Sequence, residues 1–174
     1  MSAAKGLKVV EKDIFKLAAA DLQGFDIIID AFGVWDDLSL YKKHAEHLVQ
    51  ILQGNSAKFL VVGGAGSLYM DKSHSTMLMD TPTFPDAYKG VARAHGEILA
   101  LLREQKTLNW VYVSPAANFV ADGAKTGKYK VAGEEFELNS AGKSEISYAD
   151  YASAMLDIVQ NSAINRVRVS AIGL

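Results

Sequence analysis

The feature that most constrains the fold is an alternation of short apolar runs with longer segments of helical periodicity. The run "FDIIIDAFG" (25–33) is typical of a strand that is buried on both faces of a parallel sheet. Four more strands are predicted, one at the start of the run 7–15 and one within each of the runs 58–64, 109–116 and 166–172. Strands alternating with helices favour a parallel sheet covered by helices. We therefore predict a single α/β domain over residues 1–174.

Three intervening segments have the periodicity of amphipathic helices. The first follows Ser39 as N-cap and ends near Gly54, and the third begins with a capping box of Ser147 and Asp150. Between the second and third helices, "KYKVAGEEFEL" predicts a hairpin around residues 132–133. The predicted buried helix positions are Leu40, His44, Ala45, Leu48, Val49 and Leu52, then Ala87, Val91, Ala94, Ile98 and Leu101, then Ala152, Met155, Leu156 and Val159.

The amino-acid composition of the chain excludes several classes of function. The formal net charge of −2 gives no indication of a nucleic-acid or membrane-surface partner. The sequence has no cysteine, which excludes disulfides, thiolate metal sites and thiol nucleophiles. No apolar run approaches the roughly 20 residues of a membrane-spanning helix. We expect a cytoplasmic protein that acts on a small molecule and binds neither nucleic acid nor membrane.

The stretch "FLVVGGAGSLYMD" (59–71) has the composition of a phosphate-binding turn but not its spacing. The dinucleotide fingerprint needs three spaced glycines and a helix that begins at once, because the helix N-terminus holds the phosphates. Gly64 and Gly66 supply G-x-G, but Tyr69 occupies the third place and a loop with prolines follows. We expect Gly63, Gly64 and Gly66 to line a ligand site at a strand end. The alternative is that they only bend the chain.

Six stretches together resemble a known family. In order they are "GLKVVEKDIF", "FDIIIDAFG", "FLVVGGAGSLY", "LNWVYVSPAANF", "DGAKTGKY" and "ISYADYASAMLD", and they cover nearly the whole chain. The chain is similar to the atypical short-chain dehydrogenases/reductases, in the NAD(P)H-binding branch of NADH–flavin reductases and biliverdin-IXβ reductase. The resemblance implies a Rossmann-like three-layer parallel sheet, NAD(P)H as cofactor, and FMN or FAD as substrate.

The resemblance also implies where the cofactor would lie. It points to one acidic residue and its neighbour near the start of the chain and to three later strand ends. These positions are Asp13, Ile14, Ala31, Phe32, Gly33, Gly63, Gly64, Ser114, Pro115 and Ala116. Ser67 is a weak candidate for a catalytic residue. Neither the resemblance nor the residues indicate a metal.

Four aromatic residues follow predicted strand ends, where they are placed to stack on a flat substrate ring. They are Trp35, Tyr69, Phe84 and Phe119. The alternative is that they pack loops against the core. His44 and His47 lie one turn apart, but no second cluster completes a metal shell, so a partly exposed helix face is the better interpretation. His95 either faces the cofactor cleft or lies on a solvated helix side.

The chain departs from most short-chain dehydrogenases in lacking their Tyr-x-x-x-Lys pair. None of its seven tyrosines has a lysine four residues on, and Tyr88, nearest the expected place, is followed by Ala92. That pair donates and relays the proton in carbonyl reduction. Its absence, shared with relatives in this branch, favours hydride transfer to an acceptor that needs little acid help.

A second departure concerns the start of the chain. Family members begin with a strand, the glycine fingerprint, a helix and another strand, whereas this sequence starts where the third strand is expected. In the family's strand order the absent strands separate "LKVV" from "FDIIID", whose apolar edge would be exposed. Three interpretations stand: a truncated product or misplaced start, pairing of "LKVV" beside "FDIIID", or cover by another chain in a homo-oligomer.

These features favour an NAD(P)H-dependent oxidoreductase that passes hydride to a flavin or a similar flat acceptor. The alternative is a non-catalytic NAD(P)-responsive regulator or interaction module, or an inactive truncated product. A nucleotide-sugar epimerase is less favoured, since that chemistry generally uses the absent tyrosine.

Overall fold

The computed structural model describes residues 6–174, in which strands and helices alternate as the sequence predicts. The strands are β1 (Ile27–Asp30), β2 (Lys58–Val62), β3 (Asn109–Ser114), β4 (Asn118–Val120), β5 (Tyr129–Ala132), β6 (Glu145–Ser147) and β7 (Val167–Gly173). The α-helices are α1 (Ser39–Ile51), α2 (Asp86–Arg103) and α3 (Tyr148–Gln160).

The main sheet has the strand order β1-β2-β3-β7-β5. Its first four strands run parallel, and β5 lies antiparallel to β7 at the far edge. Asp30 pairs with Val61 and Val62 with Val113, so β1, β2 and β3 end together at one edge of the sheet. The small parallel pair β4–β6 was not predicted. The mostly parallel, Rossmann-like sheet confirms the predicted fold class.

Helices cover the sheet on two sides, which gives three layers. Because side chains alternate along a strand, β2 and β3 send one set to each face. Phe59, Val61, Trp110 and Tyr112 pack with α1 and α2, whereas Leu60, Val111 and Val113 pack with α3. Within residues 6–174, no helix is both long enough and apolar enough to cross a membrane.

The strand predicted at the start of the chain does not form. Residues 7–10 have no regular structure, and the chain continues into a 3₁₀ turn, Ile14–Lys16. That turn lies against α1, where a ring nitrogen of His47 is 3.0 Å from the carbonyl oxygen of Leu17. Residues 7–10 form no strand beside β1, so the interpretation in which "LKVV" pairs beside "FDIIID" is wrong.

Strand β1 is consequently an edge strand. Its side chains at Ile27 and Ile29 are 40% and 50% exposed on the face away from α1. The prediction that this strand is buried on both faces is therefore wrong for one face, which neither a helix nor a further strand of the described residues covers.

The hairpin predicted around residues 132–133 does not form either. β5 pairs with β7 instead of with the residues that follow it. The chain after Gly133 crosses to the loop that follows β2, where the backbone N–H of Tyr69 donates to Glu134 and the N–H of Phe136 donates to Tyr69. β5 forms the last strand of the open sheet because it pairs with the otherwise unpaired edge of β7.

Helix α3 is rotated about its axis by about one residue relative to the prediction, so that a different face is buried. Tyr151, Ala154, Met155 and Ile158 are buried, whereas Leu156 is 60% exposed and Ala152 is also exposed. The rotation follows from two contacts. The hydroxyl of Tyr151 donates to the carbonyl of Val113, and the Asp150 carboxylate accepts from Thr126 and Gly127. Asp150 therefore does not complete the predicted capping box, although its N–H does donate to Ser147 Oγ.

The other two helices match the prediction more closely. In α1 the residues His44, Ala45, Leu48 and Val49 are buried as expected, and Leu52 follows just beyond its end. In α2 the buried residues are Ala92, Ala94, Ile98, Leu99 and Leu102. Ala87, predicted to be buried, is exposed because it lies in the first turn of α2, beyond the packed part of the helix.

Replacing Ile158 by alanine should destabilise the protein far more than replacing Leu156 by alanine. Ile158 is fully buried against the sheet, so Ile158→Ala should cost about 2–5 kcal/mol of unfolding free energy. Leu156→Ala, on the exposed face of the same helix, should change it by about 0.5 kcal/mol or less. Urea unfolding curves of the two variants check this, and a larger loss for Leu156→Ala than for Ile158→Ala would show that the helix buries the face that the sequence predicted.

Candidate active site at the carboxyl ends of three strands

The structure brings most of the predicted cofactor residues to one edge of the sheet. Residues 31–33 follow β1, residues 63 and 64 follow β2, and residues 115 and 116 follow Ser114 at the end of β3. These strands are adjacent and parallel, so the three turns lie side by side. The carboxyl edge of an open parallel sheet is the usual place for a ligand.

Asp13 and Ile14 have different surroundings. The carboxylate of Asp13 is exposed and accepts a hydrogen bond of 3.0 Å from the backbone N–H of Phe15, so it caps the first 3₁₀ turn. Ile14 packs against the same core cluster as Phe32, which joins the start of the chain to the turn after β1.

A buried contact between a histidine and an aspartate organises the turn after β1. His44 Nε2 lies 2.9 Å from Asp30 Oδ2, and the backbone N–H of Phe32 donates to Asp30 Oδ1 at 3.0 Å. The ring of Phe32 stacks on His44 with centroids 4.1 Å apart. His44 therefore lies in the core, as the periodicity of α1 predicts, and the expectation that it shares a partly exposed helix face with His47 is wrong. Its partner, the Asp30 carboxylate, also holds the turn through the N–H of Phe32.

Close packing explains the glycines after β2. A Cβ on Gly63 would lie 2.2 Å from the Tyr112 ring, and one on Gly66 would lie 2.6 Å from Ala92. A Cβ on Gly64 would lie 3.2 Å from His95. Gly63 and Gly66 are thus required by the side chains beside them, and Gly64 is packed tightly against His95, a reason that the sequence did not reveal. Their backbone remains part of the strand edge.

The hydroxyl of Tyr112 joins this turn to α2. It accepts from the N–H of Gly64 at 3.0 Å and donates to the carbonyl of His95 at 3.1 Å. Burial raises the pKa of Tyr112, so the phenol stays protonated and keeps both hydrogen bonds. Neither Tyr112 nor Asp30 was predicted as a site residue. An aspartate closing the apolar run "FDIIID" was the one available signal.

His95 lies against the turn and not on a solvated side of the helix. Its ring is 4.8 Å from the ring of Tyr41. Burial lowers its pKa to about 4. The Asp30 carboxylate raises the pKa and His44 lowers it further, but both act less than burial. The imidazole is therefore neutral at neutral pH, with one nitrogen that donates and one that accepts.

Two shielded polar atoms at this edge have no partner among the described residues. They are Nδ1 of His95 and Oγ of Ser114, a fully buried residue at the end of β3. Buried polar atoms are nearly always hydrogen-bonded, so unpaired ones indicate a position for a ligand or water. A nicotinamide carboxamide carries both a donor and an acceptor, and the edge therefore fits the nicotinamide end of NAD(P)H.

The helices that start at this edge fit the pyrophosphate less well. Asp37 accepts from the N–H of Ser39 at the start of α1, and Asp86 opens α2. At the start of α3, burial alone would raise the pKa of Asp150, but the hydrogen bonds from Thr126 and Gly127 outweigh it and lower the pKa. Carboxylates thus already meet these positive helix ends in the described chain, where a phosphate would otherwise be favoured.

The predicted aromatic residues are not brought together. Trp35 contacts Tyr88, with ring centroids 6.3 Å apart. Tyr69 stacks on His74, and Phe119 packs against Tyr148 and Tyr151 at the start of α3. Phe84 is half-buried in the loop before α2 and makes no ring contact among the described residues. Trp35 and Tyr88 form a contacting pair of rings that are both more than half exposed.

Ser67 belongs to a buried ionic group instead of the strand edge. It is 4% exposed, and its Oγ accepts from Arg168 at 3.3 Å. Arg168 is itself buried and also binds the carboxylate of Glu134. No base contacts the Ser67 hydroxyl among the described residues, so the geometry gives no support to it as a nucleophile.

Comparison with known proteins gives a consistent picture. A family model for NAD(P)H-binding proteins matches residues 1–162. The chain is similar to the uncharacterized protein YwnB of Bacillus subtilis (strain 168), with 41% identity over 155 residues that cover 88% of this chain and 73% of YwnB.

Two solved structures are also similar. A protein of Streptococcus pneumoniae TIGR4, provisionally described as an NADH-flavin reductase, has 44% identity and a TM-score of 0.95, covering 100% of this chain and 84% of its own. A protein of Burkholderia pseudomallei, provisionally described as exported, has 34% identity and a TM-score of 0.82, covering 92% of this chain and 78% of its own.

Replacing His95 by phenylalanine should reduce the loss of stability in acid. The pKa of His95 is about 4 in the folded protein against an ordinary value of 6.5. On acidification the unfolded chain therefore binds a proton that the folded chain does not. The stability that is present above the unfolded pKa of 6.5 is lost as the pH falls toward the folded pKa of about 4. Over this range the wild type should lose about 1–3 kcal/mol more than His95→Phe. Urea unfolding at several pH values measures this, and parallel curves for the two proteins would contradict it.

Proposed function

The chain belongs to a family of NAD(P)H-binding proteins, and from that premise we propose that it is an oxidoreductase that passes hydride from NAD(P)H to a flavin or a similar flat acceptor. The observation that carries the proposal is the edge formed by β1, β2 and β3, where eight of the ten predicted cofactor residues lie at the carboxyl ends of adjacent parallel strands or in the turns that follow them. The similar Streptococcus protein supports the choice of acceptor.

The contribution of the chain itself is to hold the reactants in position. When bound, the nicotinamide supplies the hydride. The pair of Asp30 and His44 keeps the turn after β1 rigid, and the Tyr112 hydroxyl keeps the turn after β2 against α2. The unpaired atoms of His95 and Ser114 would hydrogen-bond the carboxamide and so orient the ring. Such positioning lowers the barrier by fixing donor and acceptor face to face.

The choice of a flat acceptor follows because, among the described residues, neither Tyr88 nor His95 supplies the acid that reduction of a ketone needs. Tyr88 has Ala92 four residues on, and the Ala92 methyl group is packed beside Gly66. His95, with a pKa of about 4, is not protonated at neutral pH. A ketone needs a proton in the transition state, whereas a flavin takes hydride at a ring nitrogen and can gain its proton from water. The exposed rings of Trp35 and Tyr88 offer an apolar surface for such an acceptor.

A second candidate is an NAD(P)-responsive regulator that binds the nucleotide without turnover. The same lack of a Tyr-x-x-x-Lys pair and of an acid at the strand edge supports it. The two candidates differ in one measurable property, which is flavin-dependent consumption of the reduced nucleotide.

Titration of the purified chain with NADPH and with NADH should quench tryptophan fluorescence saturably, because Trp35 lies beside the proposed site and is 71% exposed. Addition of FMN or FAD should then accelerate the loss of reduced-nucleotide absorbance. Binding without flavin-dependent consumption would identify the regulator. A folded sample that binds neither nucleotide would refute both candidates.

A bulky side chain in the turn after β1 should weaken nucleotide binding without affecting the fold. Ala31 is exposed in that turn, so Ala31→Leu should obstruct the strand edge at a cost of about 1–3 kcal/mol, or roughly 5- to 150-fold in dissociation constant. Ala20→Leu, an equal change at an exposed alanine in the 3₁₀ turn Ala19–Leu22, is the control and should bind as the wild type does. Equal affinity of both variants would place the nucleotide elsewhere.

A further inference from the structure

A separate cavity of about 360 Å³ lies between α2 and the loop that follows β2. None of the residues at the ends of β1 and β3 lines it, and neither Gly63 nor Gly64 does, so it is distinct from the strand edge, although Ser67 and Tyr69 belong to the loop that continues from β2. Its wall is largely apolar, and a few polar side chains converge on it. The lining residues are Ser67, Tyr69, Met77, Met79, Arg93, Gly96, Glu97, Leu99, Ala100 and Arg103.

The cavity is large enough for a small ring system. Pockets for small molecules have volumes of about 300–1,000 Å³ and combine apolar walls with a few placed polar groups. Here two methionines and Leu99 supply the walls, and methionine adapts its shape to flat ligands. The Tyr69 ring is held in place from both sides, by His74 at a centroid distance of 4.2 Å and by Arg168 at 5.2 Å.

The charges around the cavity are not balanced. Arg103 and Arg168 both bind the same oxygen of Glu134, at 2.7 Å from Arg103 and at 2.8 Å from Nε of Arg168. One carboxylate is thus paired with two guanidinium groups. Arg93 and Glu97 add one charge of each sign, so these five groups sum to a charge of +1. The next carboxylate, that of Glu135, lies 3.0 Å from a ring nitrogen of His74, on the far side of Tyr69 from Arg168. A single anionic group would neutralise the charge of the five groups.

Ser67 provides a directed hydrogen bond. Its oxygen accepts from the buried Arg168, and among the described residues its hydroxyl donates to no other group. The proton is therefore available to the cavity. Arg103, whose side chain is 41% exposed, keeps guanidinium donors that Glu134 does not use.

We propose that this cavity is a binding site for a small, flat, apolar anion of the aromatic carboxylate or sulfonate class. The ring lies between Met77, Met79 and Leu99, and the anionic group lies toward Arg103 and the Ser67 hydroxyl. The site is independent of the nucleotide chemistry at the strand edge, and its test needs neither cofactor nor turnover.

The first experiment is a fluorescence titration with anilinonaphthalene sulfonate and with its uncharged counterpart, N-phenylnaphthylamine. Gly96→Leu should abolish saturable binding of both, because the new side chain fills the cavity. A Cβ at Gly96 meets only Met79 Cε, at 3.8 Å, and replacing glycine inside a helix favours folding, so this variant should stay folded. Ala100→Phe, at an exposed cavity position of the same helix, fills the cavity independently.

Charge recognition is tested with Arg103→Gln. This variant should bind the sulfonate about three- to fivefold more weakly and the uncharged probe as well as the wild type does, as expected for a partly exposed ion pair. Lys106→Gln removes the same charge from an exposed position near the end of α2 and should change neither affinity.

The exposed edge strand β1 supplies the competing explanation, since dyes also bind exposed apolar surface. Ile29→Ser reduces that surface and should leave the titrations unchanged. Dye binding that falls in Ile29→Ser and persists in Gly96→Leu and Ala100→Phe would overturn the proposal, as would equal effects of Arg103→Gln on the charged and the uncharged probe.

Discussion

The arrangement of the strand edge depends on the fully buried side chain of Tyr112. From the middle of the sheet its ring occupies the space beside Gly63, and its hydroxyl bonds to Gly64 and to the backbone of His95. One side chain therefore fixes β3, the turn after β2 and helix α2 relative to one another. A smaller residue there would leave a cavity and two unpaired backbone groups, and a larger residue than glycine at position 63 would displace the ring.

This dependence explains why the glycine-rich stretch was difficult to interpret. Glycine runs after a strand occur where a ligand approaches the backbone, and also where a neighbouring side chain does. The sequence distinguishes a helix-linked fingerprint from other runs, and it correctly excluded the fingerprint here. It does not reveal that Tyr112, His95 and Ala92 fill the space beside the three glycines, because these residues lie far away along the chain.

The fold was more predictable than its details. Apolar runs predicted β1, β2, β3 and β7, because strand burial depends on local sequence. The failures depend on contacts between distant residues. The buried face of α3 is set by the hydrogen bonds of Tyr151 and Asp150. Strand β5 pairs with β7 instead of forming a hairpin. The start of the described chain contacts α1 through His47 and forms no strand beside β1. The predicted cofactor positions at the strand ends lie together because parallel strands share an edge, whereas the aromatic residues, placed by loops, do not.

The electrostatics of the edge divide it into two regions with different preferences. Around Gly63 and Gly64 the neutral imidazole of His95 and the hydroxyl of Ser114 are uncharged, shielded and unpaired, and they favour an uncharged amide. At the helix starts, Asp37, Asp86 and Asp150 already supply negative charge to the helix dipoles, and a pyrophosphate there would meet repulsion instead of attraction. In the proposed function, the affinity of residues 6–174 for a nicotinamide nucleotide would therefore come mainly from its nicotinamide end, where hydride transfer would also take place.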